Sequence, residues 1–136
     1  GALSKGSGSF KIDHPLKPES HHLVHSFLEG PQADLLYRGK VDLVNGSAIV
    51  DIDSSAGMSD GTFVKLNANV QCFTSNESSF SSVKGTVADN KLTIESEDSN
   101  STDTISWLVV GERQDDHMKE TNWTDSDGKV IVEPAK

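Results

Sequence analysis

Three histidines, His21, His22 and His25, come closest to a metal-ligand pattern in this 136-residue chain. On an extended strand, His21 and His25 share one face and His22 lies on the other. Two residues four apart on a strand are separated by about 13 Å, too far for both rings to ligate one ion within a single chain. Three chains around an axis, each giving one histidine, would escape that limit. Histidines on polar strands ordinarily just hydrogen-bond, however, and no metal is expected. Asp125-Ser126-Asp127-Gly128 opens like a calcium loop. Counted from Asp125, position six is Val130 and position twelve is Lys136, where the helix-loop-helix pattern demands Gly and Glu, so a surface turn is the reading. Paired carboxylates recur at Asp51/Asp53, Glu95/Glu97, Asp115/Asp116 and Asp125/Asp127. Glycoside hydrolysis needs two carboxyls about 5–9 Å apart, one with a raised pKa in a largely apolar cleft. Most of these acids fall in polar stretches instead. The single cysteine, Cys72, sits in the alternating run Ala68–Phe73 and reads as a small buried hydrophobe, with no internal disulfide possible. The sequence holds no nucleophile elbow, zinc-protease helix motif or phosphate loop. No catalytic residue and no cofactor are assigned, and the chain reads as a non-enzyme.

Recognition of a glycan demands less. Sugars offer apolar ring faces for stacking and hydroxyls for hydrogen bonding, so an aromatic beside Asn or Asp in a loop is enough. Trp123 fits best, in Asn122-Trp123-Thr124-Asp125, and Phe80 follows Asn76 in a second polar stretch. The expected ligand-binding residues are therefore Trp123, Asn122, Asp125, Phe80 and Asn76. The competing role for Trp123 is to cap one end of the fold. Trp107, inside the apolar run Thr104–Val110, belongs to the core.

The elements that must position these residues read as strands. Asn45-Gly46 between Tyr37–Val44 and Ser47–Asp53 is the strongest hairpin signal in the chain, the dipeptide of a two-residue type I′ turn. Asp89-Asn90 between Lys84–Ala88 and Lys91–Glu95 predicts a second hairpin. Phe10–Ile12 and His22–Glu29 read as extended, separated by Pro15 and Pro18. Phe63–Phe73 reads as a strand, or two with a kink at Asn67-Ala68-Asn69, and Thr74–Ser82 as an exposed loop or edge. Thr104–Gly111 is the central strand and Lys129–Glu133 the last one, while Ser54–Gly61 and Arg113–Thr121 are irregular. No stretch keeps a helical period over ten residues. Short strands at 8–12-residue spacing predict an all-β, sandwich-like antiparallel domain.

Composition narrows the partners. Apolar residues are 34% of the chain and aromatics 6%, so one domain of this length carries a thin core. Twenty-one acids against twelve bases give a formal charge of −9. Nucleic acid and anionic membrane are thereby disfavoured as partners, as are strongly anionic glycans. No apolar run approaches the 18 residues of a membrane span, and no signal peptide is visible.

Several segments taken together, in order, carry a resemblance. They are Gly8-Ser9-Phe10-Lys11-Ile12-Asp13-His14-Pro15-Leu16, His22-Leu23-Val24-His25-Ser26-Phe27, Glu29-Gly30-Pro31-Gln32-Ala33-Asp34, Tyr37-Arg38-Gly39-Lys40-Val41, Trp107–Gln114 and Trp123–Pro134. From Ser9 to Pro134 the chain resembles the C-terminal receptor-binding tip of bacteriophage tail fibres, the L-shaped kind above all. That region precedes an intramolecular chaperone that removes itself by autocleavage. The resemblance implies a homotrimer in the virion, made in the host cytoplasm and acting outside the cell. It also implies reversible attachment to host cell-surface polysaccharide, O-antigen of the polymannose type, and a C-terminal chaperone as an earlier partner. Glu133-Pro134-Ala135-Lys136 is where such a chain would end after release.

The expected organisation is a stem or linker over 1–9 and a receptor-binding domain over 10–136. Leu3, Phe10, Ile12 and part of the His22–Leu28 strand would lie near the trimer axis, where shared burial supplements the thin core. A glycan depolymerase tip and a structural fibre spacer without a ligand site are the alternatives.

Overall fold

The structure is a computed structural model and describes residues 3–136. The chain divides into two units, one ending at Gly30 and the other running from Pro31 to Lys136. The division falls at Gly30-Pro31, later than the linker boundary expected after Ser9.

The first unit is an antiparallel pair, β1 (Ser9–Asp13) and β2 (His22–Ser26). Its connection is set by Pro15 and Pro18, which discourage helix and strand alike, and by hydrogen bonds from the His14 and His21 backbone N–H groups to His21 and Lys17 carbonyls. Cross-strand partners are Phe10 with His25 and Ile12 with Leu23, so these four share one face. The Phe27 ring extends that face, its centroid 4.8 Å from that of Phe10. No residue of this unit is buried among those described.

The second unit is two three-stranded antiparallel sheets. One has the order β3 (Asp34–Asp42), β8 (Thr104–Arg113), β5 (Asn67–Asn76); the other has β4 (Ser47–Asp51), β7 (Lys91–Ser96), β6 (Val83–Ala88). Alternation decides the faces. Ile105, Trp107 and Val109 from β8 meet Leu92 and Ile94 from β7 in one core, closed by Leu43, Ile52 and Phe63. The chain is thus predominantly β with antiparallel sheets, as expected, and Trp107 is core, 4% exposed.

The Asn45-Gly46 turn forms as read, with φ of 51° and 77°, and Val44 and Ser47 exchange both backbone hydrogen bonds. The long hairpin does not follow. Beyond that one bridge its arms part into different sheets, β3 pairing with β8 and β4 with β7. Where they part, the Leu43 N–H donates to the Asp103 carbonyl and the Gly46 N–H to the Ser101 carbonyl, so the turn is tied to the loop before β8. The Asp89-Asn90 hairpin holds as β6–β7, with Asp89 alone of the two at positive φ, 53°.

Two short helices appear where none was expected, α1 (Ile52–Ser55) and α2 (Thr62–Leu66). They are too short for a helical period to register in sequence, and local bonds make them. Asp51 caps α1 by accepting from the Ser54 N–H at 3.1 Å. The buried Asp53 carboxylate accepts from the Gly61 N–H at 2.9 Å and the Phe63 N–H at 2.8 Å, which turns the chain into α2. Phe63–Leu66 is therefore helical rather than strand. The expected kink is a bulge between Ala68 and Gln71, with Asn69 at φ 51°. β5 runs on to Asn76, so Thr74–Asn76 is sheet edge, the second of the two readings, and the loop begins after it. The last strand is reduced to one bridge, Thr124 with Val130.

Candidate functional site

The outward face of the β3-β8-β5 sheet holds the feature best suited to binding. Along β3 the exposed residues are Asp34, Leu36, Arg38, Lys40 and Asp42, while Leu35, Tyr37, Gly39 and Val41 turn inward. Register places Leu108 between Arg38 and Phe73, and Ser106 between Lys40 and Ser75. These two rows bound a shallow hollow of about 590 Å³. Its floor is Gly39, Trp107 and Thr74, which lie in register with one another, the Trp107 and Thr74 side chains turned inward. The floor is therefore backbone: Gly39 and Trp107 bond each other in the β3–β8 ladder, while the Thr74 N–H and C=O lie in the sheet plane and point to the β5 edge. Gly39 is required there: a Cβ would come within 2.7 Å of the Trp107 ring, which packs beneath the sheet.

The hollow crosses the strands, and its two ends differ. Adjacent strands are about 4.8 Å apart, so from β3 to β5 it spans about 10 Å. Arg38 and Lys40 stand at the β3 end and Phe73, 55% exposed, at the β5 end. Among the described residues, no carboxylate lies within 4.0 Å of either cation. Two carboxylates at the margins of this face hold hydroxyls instead. Asp42 accepts from the Thr104 hydroxyl and Glu77 from the Ser106 hydroxyl, each at 2.5 Å.

The five residues expected from sequence lie elsewhere and apart. Asn76 is spent on its own loop: its amide donates to the Ser81 carbonyl at 3.1 Å and to Asp103 at 2.9 Å, and its Oδ1 accepts from the Ser78 and Ser79 N–H groups. The Ser79 hydroxyl and the Asn76 amide hold the Asp103 carboxyl below the usual carboxylate range. Phe80 is fully exposed in that loop. Asp125 likewise holds a turn, accepting from the Asp127 and Lys129 N–H groups at 2.9 Å. Trp123 is half-buried, with its indole N–H buried and unpartnered, and Asn122 beside it is exposed. Lys129 ties this segment to Glu112 at 2.9 Å, at the end of β8. Asn76 is paired with Ile105 at the start of β8. Seven residues of strand, about 23 Å, separate those two anchors, so the Trp123 group and the Phe80 group form no common site.

The paired acids also serve structure. Asp53 and Glu112 are buried rather than in solvated loops. Lys129 first, then Asn69, lowers the pKa of Glu112, and the Lys91 ammonium lowers that of Asp51. Burial pushes the Cys72 thiol up, in keeping with a small hydrophobe. In the first unit the histidines make local contacts: the His21 ring bonds the Ser20 hydroxyl at 2.7 Å and His22 lies 3.7 Å from Asp13.

Sequence reasoning missed the hollow because each residue in it is ordinary alone. The available signal was Tyr37-Arg38-Gly39-Lys40, two cations on one strand face of an acidic chain with a glycine between them.

Compared with family models and with curated proteins, the sequence matches none.

Proposed function

We propose that the chain is the receptor-binding tip of a bacteriophage tail fibre, a homotrimer that attaches reversibly to cell-surface polysaccharide and does no chemistry on it. The observation that carries the ligand half of this reading is the hollow on the β3-β8-β5 face, with an exposed phenyl ring, two free cations and hydroxyls arranged across a rigid sheet. An open, shallow surface of this kind admits a polymer passing through rather than a small molecule enclosed, and three copies would convert weak single contacts into firm adsorption. The trimer half is supported by the open apolar face of β1 and β2. Phe10 and Ile12 are 72% and 58% exposed there, and a lone two-stranded ribbon is marginal in water. Leu3, also exposed, joins the residues expected near the axis. The same reading makes residues 1–9 the stem side of the chain and places the protein in the virion.

Retention on immobilised host lipopolysaccharide, with polymannose O-antigen as one arm, tests the function. Phe73→Ala is expected to weaken retention by about tenfold or more, the effect of losing one buried aromatic contact. Phe80→Ala and Trp123→Ala should each stay within about twofold. Equal retention by Phe73→Ala and loss through Trp123→Ala would move the site to the 122–131 segment. Shortening of the polymer during incubation would replace attachment with depolymerisation.

A further inference from the structure

We infer that the sugar seated in the hollow carries a carboxylate, so that the ligand is an acidic, uronate-containing polysaccharide rather than a neutral one. The inference rests on the β3-β8-β5 face being the glycan site and names the class of glycan it takes. In a chain of net charge −9, with nearly two acids for every base, a pair of cations on one strand face that, among the described residues, has no carboxylate within 4.0 Å is an imbalance that a ligand can resolve. Arg38 and Lys40 are two residues apart on the same face of β3, about 7 Å, close enough for one planar anion to lie between them. The nearest acids of the same face, Asp42 and Glu77, accept from the Thr104 and Ser106 hydroxyls, and neither lies within ion-pair distance of Arg38 or Lys40.

The donor set also selects among anions. A carboxylate has two oxygens, which a guanidinium fork and one ammonium satisfy. A phosphomonoester offers a third free oxygen and wants further donors, usually backbone N–H groups at a helix start or nest. The floor here has none to give: the N–H groups of Gly39 and Trp107 face each other across the β3–β8 ladder, and that of Thr74 lies in the sheet plane and points off the β5 edge. Polarity along the hollow fixes the orientation. The carboxylate lies at the β3 end, the apolar face of the next sugar ring covers Phe73 at the β5 end, and Ser106 and Ser75 between them meet ring hydroxyls. The negative charge of the whole chain opposes the approach of such a polymer, so contact at the hollow must be short-ranged and salt must act on two opposed terms.

The test uses the full chain titrated with alginate and polygalacturonate oligosaccharides, with the same oligosaccharides after carboxyl reduction, and with a mannose polymer bearing phosphomonoester groups. Backbone amide shifts report the place. The expected result is movement of the Gly39, Lys40, Thr74 and Ser106 signals with the uronate oligosaccharides, and at least about tenfold weaker binding after carboxyl reduction, the scale of losing a charge-assisted bond. Arg38→Gln should weaken uronate binding by a similar factor and so close most of the gap between the acidic and the reduced oligosaccharides. If reduced and acidic forms bind equally and Phe73→Ala still weakens both, the acidic class is wrong and the glycan site stands. If the phosphate polymer binds more tightly than the uronates, the carboxylate assignment is wrong. Absence of any shift at the hollow with every probe overturns both the class and the site.

Discussion

The two units of this chain solve the burial problem in opposite ways. From Pro31 onward, two small sheets face each other and eight side chains are almost wholly removed from water, so the unit carries an interior despite a low apolar content. Up to Gly30, one pair of strands has apolar side chains and nowhere to put them: Phe10, Ile12, Leu16, Val24 and Leu28 all stand more than half exposed. The difference is one of layers. A sheet hides a face only against a second layer, and the first unit has none within its own residues. An apolar share that looks thin when averaged over the chain is therefore sufficient in one region and unspent in the other.

Substitutions sharpen this contrast, the largest effects lying in the second unit. Phe63→Ala removes a ring that is 1% exposed and should cost about 3–5 kcal/mol in urea unfolding, whereas Phe10→Ala should leave the same transition within about 0.5 kcal/mol. Equal costs would mean the two regions share one cooperative core. Next comes Gly46→Ala. At φ 77° an added Cβ would stand 2.6 Å from the Asp98 carbonyl oxygen, at the point where the chain leaves one sheet for the other. A loss of about 1–3 kcal/mol in thermal or urea unfolding is expected. A neutral outcome would show that the 98–99 backbone yields readily to the added methyl.

Acid should act on the second unit as well. Glu112, Asp115, Asp103 and Asp51 all have pKa values lowered in the fold, by Lys129, Arg113, Ser79 and Lys91 respectively. Carboxyls with a folded pKa below the unfolded value add stability that is present above the unfolded pKa, near 4, and is lost as pH falls through the folded one. Unfolding followed by tryptophan fluorescence should therefore move to lower urea as pH drops below about 4, and Glu112→Gln should flatten part of that slope. A transition that does not shift over this range contradicts the ion-pair account. The smallest effect is expected at Asp89→Gly in the β6–β7 turn. Relief of a positive φ and the added freedom of the unfolded chain oppose each other there, leaving a net change within about 0.5 kcal/mol.

The fold was legible wherever a short-range rule sufficed. Strand alternation found the core face of β8 and placed Trp107 inside it. The dipeptides Asn45-Gly46 and Asp89-Asn90 located both turns, and the break at Asn67–Asn69 was visible as a run unsuited to continuous strand. What failed depended on partners distant in sequence. The Asn45-Gly46 turn looks the same whether its arms stay paired or part, and the strands that each arm pairs with, β8 and β7, lie some forty to eighty residues on. α2 depends on Asp53 reaching forward to Gly61 and Phe63, a contact no periodicity records. The hollow was illegible for the same reason. Asn76 and Asp125 sit beside aromatics as a sugar site requires, yet local backbone donors occupy them, while Arg38, Lys40 and Phe73 meet only because β8 lies between β3 and β5.

The contrast between the units reduces to one quantity, the mass of the particle in solution. Light scattering on the full chain at micromolar concentration should give the mass of three copies. The doubly substituted Phe10→Ser, Ile12→Ser chain should give the mass of one, with the tryptophan fluorescence of the second unit unchanged. A monodisperse single copy from the unsubstituted chain would mean that the open face of β1 and β2 is stable in water by itself, and would contradict the account.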